Sequence, residues 1–336
     1  MADRVDLRSD TVTAPTPEMR RAMADAEVGD DGHGEDPTVT SLEEAYAQWV
    51  GKPAALFVPS GVMANQVALR LLTRPGDVVV AGAMNHVVAF EMGAAALNAG
   101  IQFRTIDDST GVLDTASVRE AIAAEAHHQP AVGLLALENT HMASGGTPLT
   151  ASQLEGLVVA GGGVPVHLDG ARLFNAAVAL GCSGASLAAS VTTVMSCLSK
   201  GLCAPVGSLL AGPADLIEEG RTERKRLGGG MRQAGVIAAA GLVALRTMVD
   251  RLVDDHRRAR RLAEVVSETV ARDYDPATCR TNIVAFDHPD ADGLVDALAE
   301  RGVLIDTLAR GRVRMVTHAD VDDAGLDAAI GALASL

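Results

Sequence analysis

The feature that most constrains this 336-residue chain is a repeated alternation of short apolar runs with longer helix-like stretches between residues 56 and 210. The runs fall at 77–81, 101–106, 132–137, 164–168, 193–198 and 207–211. Strand, helix and strand in repetition call for crossover connections, so the expected class is α/β with a mostly parallel, doubly wound sheet. Two runs, 78–80 and 132–137, are apolar without alternation, as fits strands covered by helices on both faces. Sheets of this kind bind ligands beyond the carboxyl ends of their strands. The residues just after each run are therefore the ones to read for chemistry.

At this length a single core stops growing, and with 48% hydrophobic residues the chain is expected to divide into a large and a small domain. Residues 1–28 read as an N-terminal arm, 29–245 as the large domain and 246–336 as a small α+β domain. The small domain is expected to hold strands at 281–286 and 312–316 and helices at 291–301 and 322–333. From Gly230 to about residue 269 the pattern reads as one long helical region joining the two.

Composition removes several classes of function. The net charge is −15, and the one basic run, 257–261, reads as a solvated helix face, so no nucleic-acid partner is expected. The N-terminus is charged where a signal peptide would be apolar, and the longest apolar stretch, 234–245, falls short of the ~20 residues of a membrane span. A cytoplasmic protein without a membrane partner is the expectation. Cys182, Cys197, Cys203 and Cys279 form no Cys-x-x-Cys pair and have no histidine at zinc spacing. Neither a disulfide framework nor a metal site is expected.

Two residues then stand out. Asp169 ends the run 164–168, and Lys200 follows the run 193–198, which puts both at carboxyl ends and into one crevice. A lysine amine can attack an aldehyde cofactor, and an aspartate beside a pyridine nitrogen keeps that nitrogen protonated. Either alone would be an ordinary surface cation or loop residue. Ser60, Gly61 and Val62 sit where a short β-like run opens into a helix, a turn whose N–H groups can cradle a phosphate. No Gly-x-Gly-x-x-Gly turn is followed by an acid about 20 residues on, which argues against a nicotinamide dehydrogenase.

Over nearly its whole length the chain resembles the low-specificity L-threonine aldolases, fold-type I pyridoxal-phosphate enzymes. The resemblance is carried by the segments 6–12, 28–31, 36–38, 138–141, 169–175, 198–202, 205–208, 228–233 and 316–318, in that order. It implies a seven-stranded large-domain sheet, pyridoxal 5'-phosphate as cofactor, and reversible cleavage of L-threonine, L-allo-threonine and other β-hydroxy-α-amino acids to glycine and an aldehyde. A threonine transaldolase or another pyridoxal lyase shares the same lysine and aspartate; a scaffold without turnover would have lost Lys200 or the substrate arginines.

Residue by residue, the resemblance makes Lys200 the cofactor lysine, Asp169 the acid on the ring nitrogen and His86 the group stacked on the ring. Ser60, Gly61, Val62 and Arg232 become phosphate contacts, with Lys225 on the cofactor or subunit-interface side. Arg172 and Arg314, helped by Ser9, would hold the substrate carboxylate, for which a guanidinium fork is suited. His141 and His86 compete as the base for the substrate hydroxyl, with Glu91 orienting a water. A homotetramer, a dimer of dimers with shared active sites, is implied. The chain departs from the family pattern at His33, where tyrosine is usual, at Val62, usually threonine, and at Met142, usually asparagine. His33 lies on the loop that in the family reaches a neighbouring subunit's site, so substrate preference can differ there.

Overall fold

The apolar runs of the first two hundred residues fold into one sheet. The structure is a computed structural model that describes residues 4–124 and 127–336. In chain order its strands are β1 (Val5–Asp6), β2 (Ala54–Val58), β3 (Val78–Gly82), β4 (Gln102–Ile106), β5 (Val132–Glu138), β6 (Val166–Asp169), β7 (Thr193–Cys197), β8 (Ser208–Gly212), β9 (Ile283–Asp287), β10 (Val303–Leu304), β11 (Asp306–Ala309) and β12 (Arg312–Val316). Seven form the large sheet in the order β2-β8-β7-β6-β5-β3-β4. Neighbours are parallel except where β8 runs against β7 and β2. Strands β3, β7 and β8 are buried at every residue, because helices cover both faces.

The strand order places function. From β3 the chain crosses outward to β4, then returns to β5 on the other side of β3, so the crossovers diverge there and open a crevice at the carboxyl ends. Strand β2, antiparallel to β8, again points the same way as β7. The segments after β2, β3, β5, β6 and β7 therefore leave the sheet on one edge.

A separate apolar core forms in the C-terminal third, where β9, β11 and β12 make a three-stranded sheet in the order β11-β12-β9. Leu7 is fully buried in this core, and β1 pairs in parallel with β10. The helix Pro17–Ala24 lies instead against the helix Gly235–Thr247 of the large core. The first residues thus touch both cores.

Three details differ from the sequence reading. The expected single helical region to residue 269 is two helices, Gly235–Thr247 and Leu252–Thr269. No glycine or proline marks the break; the chain changes partners there, Met248 and Leu252 closing the large core while Ala259, Leu262 and Val266 face the small one. Strand β11 was unforeseen because none of its residues is buried. The basic run is not simply solvated: Arg258 Nε donates to Asp323 at 2.8 Å and Arg261 Nη2 to Asp327 at 2.9 Å, tying that helix to the C-terminal one, Asp323–Ala334. Among the described residues no helix is long and apolar enough to cross a membrane.

Candidate active site

At the common edge of the sheet a cavity of about 200 Å3 is lined by Ser60, Gly61, Val62, His86, Asp169 and Lys200 together with Thr11, Asn65 and Cys197. The structure thus brings together six of the residues singled out from sequence. Asp169 closes β6 and is 4% exposed. Its Oδ1 accepts the Ala171 N–H at 3.0 Å and its Oδ2 the Asn65 amide at 2.8 Å. Lys200 stands three residues past β7, in a turn whose Lys200 carbonyl accepts the Thr13 hydroxyl at 2.9 Å and the Cys203 N–H at 2.8 Å. Ser60 caps the helix Gly61–Leu72 by accepting the Met63 N–H at 3.2 Å. That leaves the N–H groups of Gly61 and Val62 without intrahelical acceptors at the positive end of a helix dipole. Gly61 is required sterically, because a Cβ there would lie 2.8 Å from Cys197 Sγ.

His86 enters from the other side, on the short helix His86–Ala89 after β3. Its backbone N–H donates to Glu138 at 2.6 Å and its Nδ1 lies 3.1 Å from Glu91. Burial pulls the imidazole pKa down, but the hydrogen bond to Glu91 and the charge of Asp169 outweigh it and raise the value. Burial raises the pKa of the Glu138 carboxyl, which accepts the His86 and Met142 N–H groups and, among the described residues, forms no ion pair with arginine or lysine.

A second set of charged residues centres on Arg172. Arg172, 4% exposed, donates through Nε and Nη2 to the carboxylate of Asp10 at 2.8 and 2.6 Å. Asp10 also accepts the Asn282 amide at 3.1 Å. Burial pushes the Asp10 carboxyl up, yet the Arg172 charge and hydrogen bonds hold it well below the usual carboxylate range. Arg314, on β12, is far less compensated: its Nε is buried without a partner, its Nη1 rests 3.5 Å from Met142 Sδ, and Asp306 approaches only to 3.8 Å. Burial and the nearby Arg172 both pull its pKa down. Arg172 is paired closely with Asp10 whereas Arg314 meets Asp306 only at 3.8 Å, and a guanidinium so loosely paired is suited to a carboxylate ligand. Ser9 precedes Asp10 and caps the turn Asp10–Val12.

The remaining candidates lie elsewhere. His141 is buried in a neighbouring cavity of about 180 Å3 that Asp108, Ser144 and Arg312 also line. Both its ring nitrogens are engaged, Nε2 with Asp108 and Nδ1 with Ser144, each at 3.0 Å. His33, Lys225 and Arg232 share a third cavity of about 460 Å3 that Lys200 does not line. Sequence reasoning passed over Asp10, Asn65 and His167. Two of these were visible as polar residues inside apolar patterns: Asn65 among Ala64, Val67 and Ala68, and His167 between Val166 and Leu168.

A cavity at the sheet's carboxyl edge, lined by a lysine, an aspartate and the first residues of a helix, describes the site of an α/β enzyme. The chain belongs to the beta-eliminating lyase family, whose model matches residues 6–289. It is 42% identical over 325 residues to low-specificity L-threonine aldolase 1 of Arabidopsis thaliana, covering 94% of this chain and 91% of that one. It is 41% identical over 322 residues to the low specificity L-threonine aldolase of Escherichia coli K12, covering 94% of each. A threonine aldolase structure from Leishmania major superposes with a TM-score of 0.83 at 19% identity, covering 98% of both chains, and shows the shared fold.

The Asp10–Arg172 pair supplies a stability test. Asp10→Asn leaves a buried guanidinium without its counter-charge and is expected to cost about 3–5 kcal/mol in urea unfolding at pH 7. Because the folded carboxyl lies below its unfolded value of about 3.9, the pair's contribution is full above that pH and is lost as pH falls below it. The variant should therefore show a flatter loss of stability below about pH 4 than the parent; equal slopes and equal midpoints would contradict the pairing.

Proposed function

We propose that this protein is a pyridoxal 5'-phosphate-dependent aldolase that cleaves L-threonine, L-allo-threonine and related β-hydroxy-α-amino acids to glycine and an aldehyde. The observation that carries the reading is the single cavity in which Lys200, Asp169, His86 and the turn Ser60, Gly61, Val62 meet; Arg314 adds a buried Nε with no hydrogen-bond partner among the described residues. These residues fit the group: an amine for its aldehyde, an acid for its ring nitrogen and a positive helix end for its phosphate. When bound, pyridoxal phosphate supplies an aldehyde that an amine can hold covalently and a ring that takes up the electron pair of a breaking bond.

The chain's own residues do the rest. Lys200 would hold the cofactor through its side-chain amine. Asp169, fixed by Asn65 and Ala171, keeps a proton on the ring nitrogen. Arg314 and the free edge of Arg172, with Ser9, would grip the substrate carboxylate and fix the substrate's orientation. His86 would pack against the cofactor. With Nδ1 turned to Glu91, its Nε2 is left to take the hydroxyl proton as the Cα–Cβ bond breaks. His141, with both nitrogens engaged, positions the loop rather than moving a proton. Assayed with an aldehyde-detecting coupled enzyme, the wild type should release acetaldehyde and glycine in equal amounts from L-threonine. Arg314→Leu should raise KM roughly 10- to 100-fold, the loss of a charged hydrogen-bonded contact. Cofactor binding without any acetaldehyde would move the reaction to another β-substituted amino acid.

We further propose that the working form is a homo-oligomer, a dimer of dimers, acting in the cytoplasm. The support is that His33, Lys225 and Arg232 are exposed and line a cavity apart from Lys200, so they serve a site only across a subunit boundary. Two variants inactive alone, Lys200→Ala and Arg232→Ala, should then recover about a quarter of wild-type activity when unfolded, mixed and refolded together, because hybrid dimers hold one intact site. No recovery would remove the shared site.

A further inference from the structure

Around the cavity runs a buried polar network of which the aldolase reading uses only the contacts of Asn65 to Asp169 and of Glu91 to His86, leaving His167, Gln66 and Thr193 without a role. The helix Gly61–Leu72 buries Asn65 at 1% and Gln66 at 2% exposure among apolar neighbours. Asn65 Nδ2 donates to Glu91 Oε1 at 2.7 Å and to Asp169 Oδ2 at 2.8 Å. Its Oδ1 lies 3.0 Å from His167 Nε2, and His167 Nδ1 lies 2.9 Å from Thr193 Oγ1. Gln66 Nε2 donates to Glu91 Oε2 at 2.8 Å, and His86 Nδ1 lies 3.1 Å from Glu91 Oε1.

The direction of every bond in this network is determined. Carboxylates only accept, so the Asn65 NH2 must face Glu91 and Asp169, and its carbonyl oxygen must face His167. His167 therefore donates from Nε2. Burial pushes its pKa down to about 4, so at neutral pH it has one ring proton, and Nδ1 must accept from the Thr193 hydroxyl. At the other end Glu91 can only accept, so His86 donates from Nδ1. A reversal anywhere would set two donors or two acceptors face to face in a dry interior, where each unsatisfied group is costly.

From this geometry we infer that Asn65 and His167 are positioning residues that fix Asp169 and set which ring nitrogen of His86 faces the cavity. The inference rests on the aldolase reading and deepens it: the same amide NH2 bridges the acid meant for the ring nitrogen and the acid that orients the base. The charged groups facing His86 are Glu91, Asp169 and Lys200, with Glu138 at its backbone N–H. Losing the Asn65 amide leaves Glu91 a stronger acceptor for the His86 proton, so His86 stays protonated to higher pH.

The test uses the full-length holoenzyme with Asn65→Leu, His167→Leu and His167→Gln, the last retaining an N–H donor. Asn65→Leu should keep the visible absorbance of bound pyridoxal phosphate but weaken its Kd roughly tenfold and lower kcat roughly 10- to 100-fold, with KM for L-threonine changed by less than about threefold. The acid limb of the kcat profile should move up by about half a pH unit. His167→Leu should reproduce these changes and His167→Gln should largely reverse them. Wild-type kcat, Kd and acid limb in Asn65→Leu would overturn the inference, as would a His167→Gln no better than His167→Leu. If Asn65→Leu does not fold, the His167 pair decides. A wild type that binds no cofactor and releases no aldehyde would instead overturn the aldolase reading itself.

Discussion

The ion pair between Asp10 and Arg172 is the contact on which the rest of the structure depends. It joins three parts of the chain in one buried spot: the turn after β1, the loop after β6 and, through Asn282, the strand region of the C-terminal core. A buried pair of this kind gives little net stability, because desolvation offsets most of the attraction, but losing either partner is costly. What it gives is a fixed geometry. With Nε and Nη2 committed to Asp10, Arg172 can offer only its remaining edge, while Arg314 meets Asp306 only at 3.8 Å.

The same economy runs through the cavity. Groups proposed for chemistry are held by hydrogen-bonded neighbours: Asp169 by buried Asn65, His86 by buried Glu91, the Lys200 turn by half-buried Thr13. Polar networks in a dry interior are stable only when each donor meets an acceptor, and such networks leave few alternative arrangements. Rigidity at the carboxyl edge is thus a product of hydrogen-bond bookkeeping behind it. His33, Lys225 and Arg232 are exposed around a separate cavity, where Arg232 meets Asp30 only at 3.6 Å, and they are proposed to act at a boundary between subunits.

Much of the fold was legible because its signals are local. Each of the six apolar runs became a strand, with ends moved by no more than two residues, since a strand covered on both faces must be apolar throughout. Lys200 and Asp169 were legible because a parallel sheet sends successive carboxyl ends to one edge. Residues acting at a distance were not. Asp10 pairs with a residue 162 positions away, and nothing in its own segment names that partner. The break near residue 250 was hidden because it follows a change of packing surface, and β11 because it buries nothing. The partners of His141 were not legible either: Asp108, 33 positions away, and Ser144 engage its two ring nitrogens.

The central claim is that Lys200 holds the cofactor, and peptide mass spectrometry after borohydride reduction of the pyridoxal-phosphate-loaded protein tests it most directly. The account predicts that the wild type retains the reduced cofactor as a covalent addition on the peptide containing Lys200, and that Lys200→Ala carries no stoichiometric addition anywhere. A stoichiometric addition on another lysine, or none in the wild type, would contradict it.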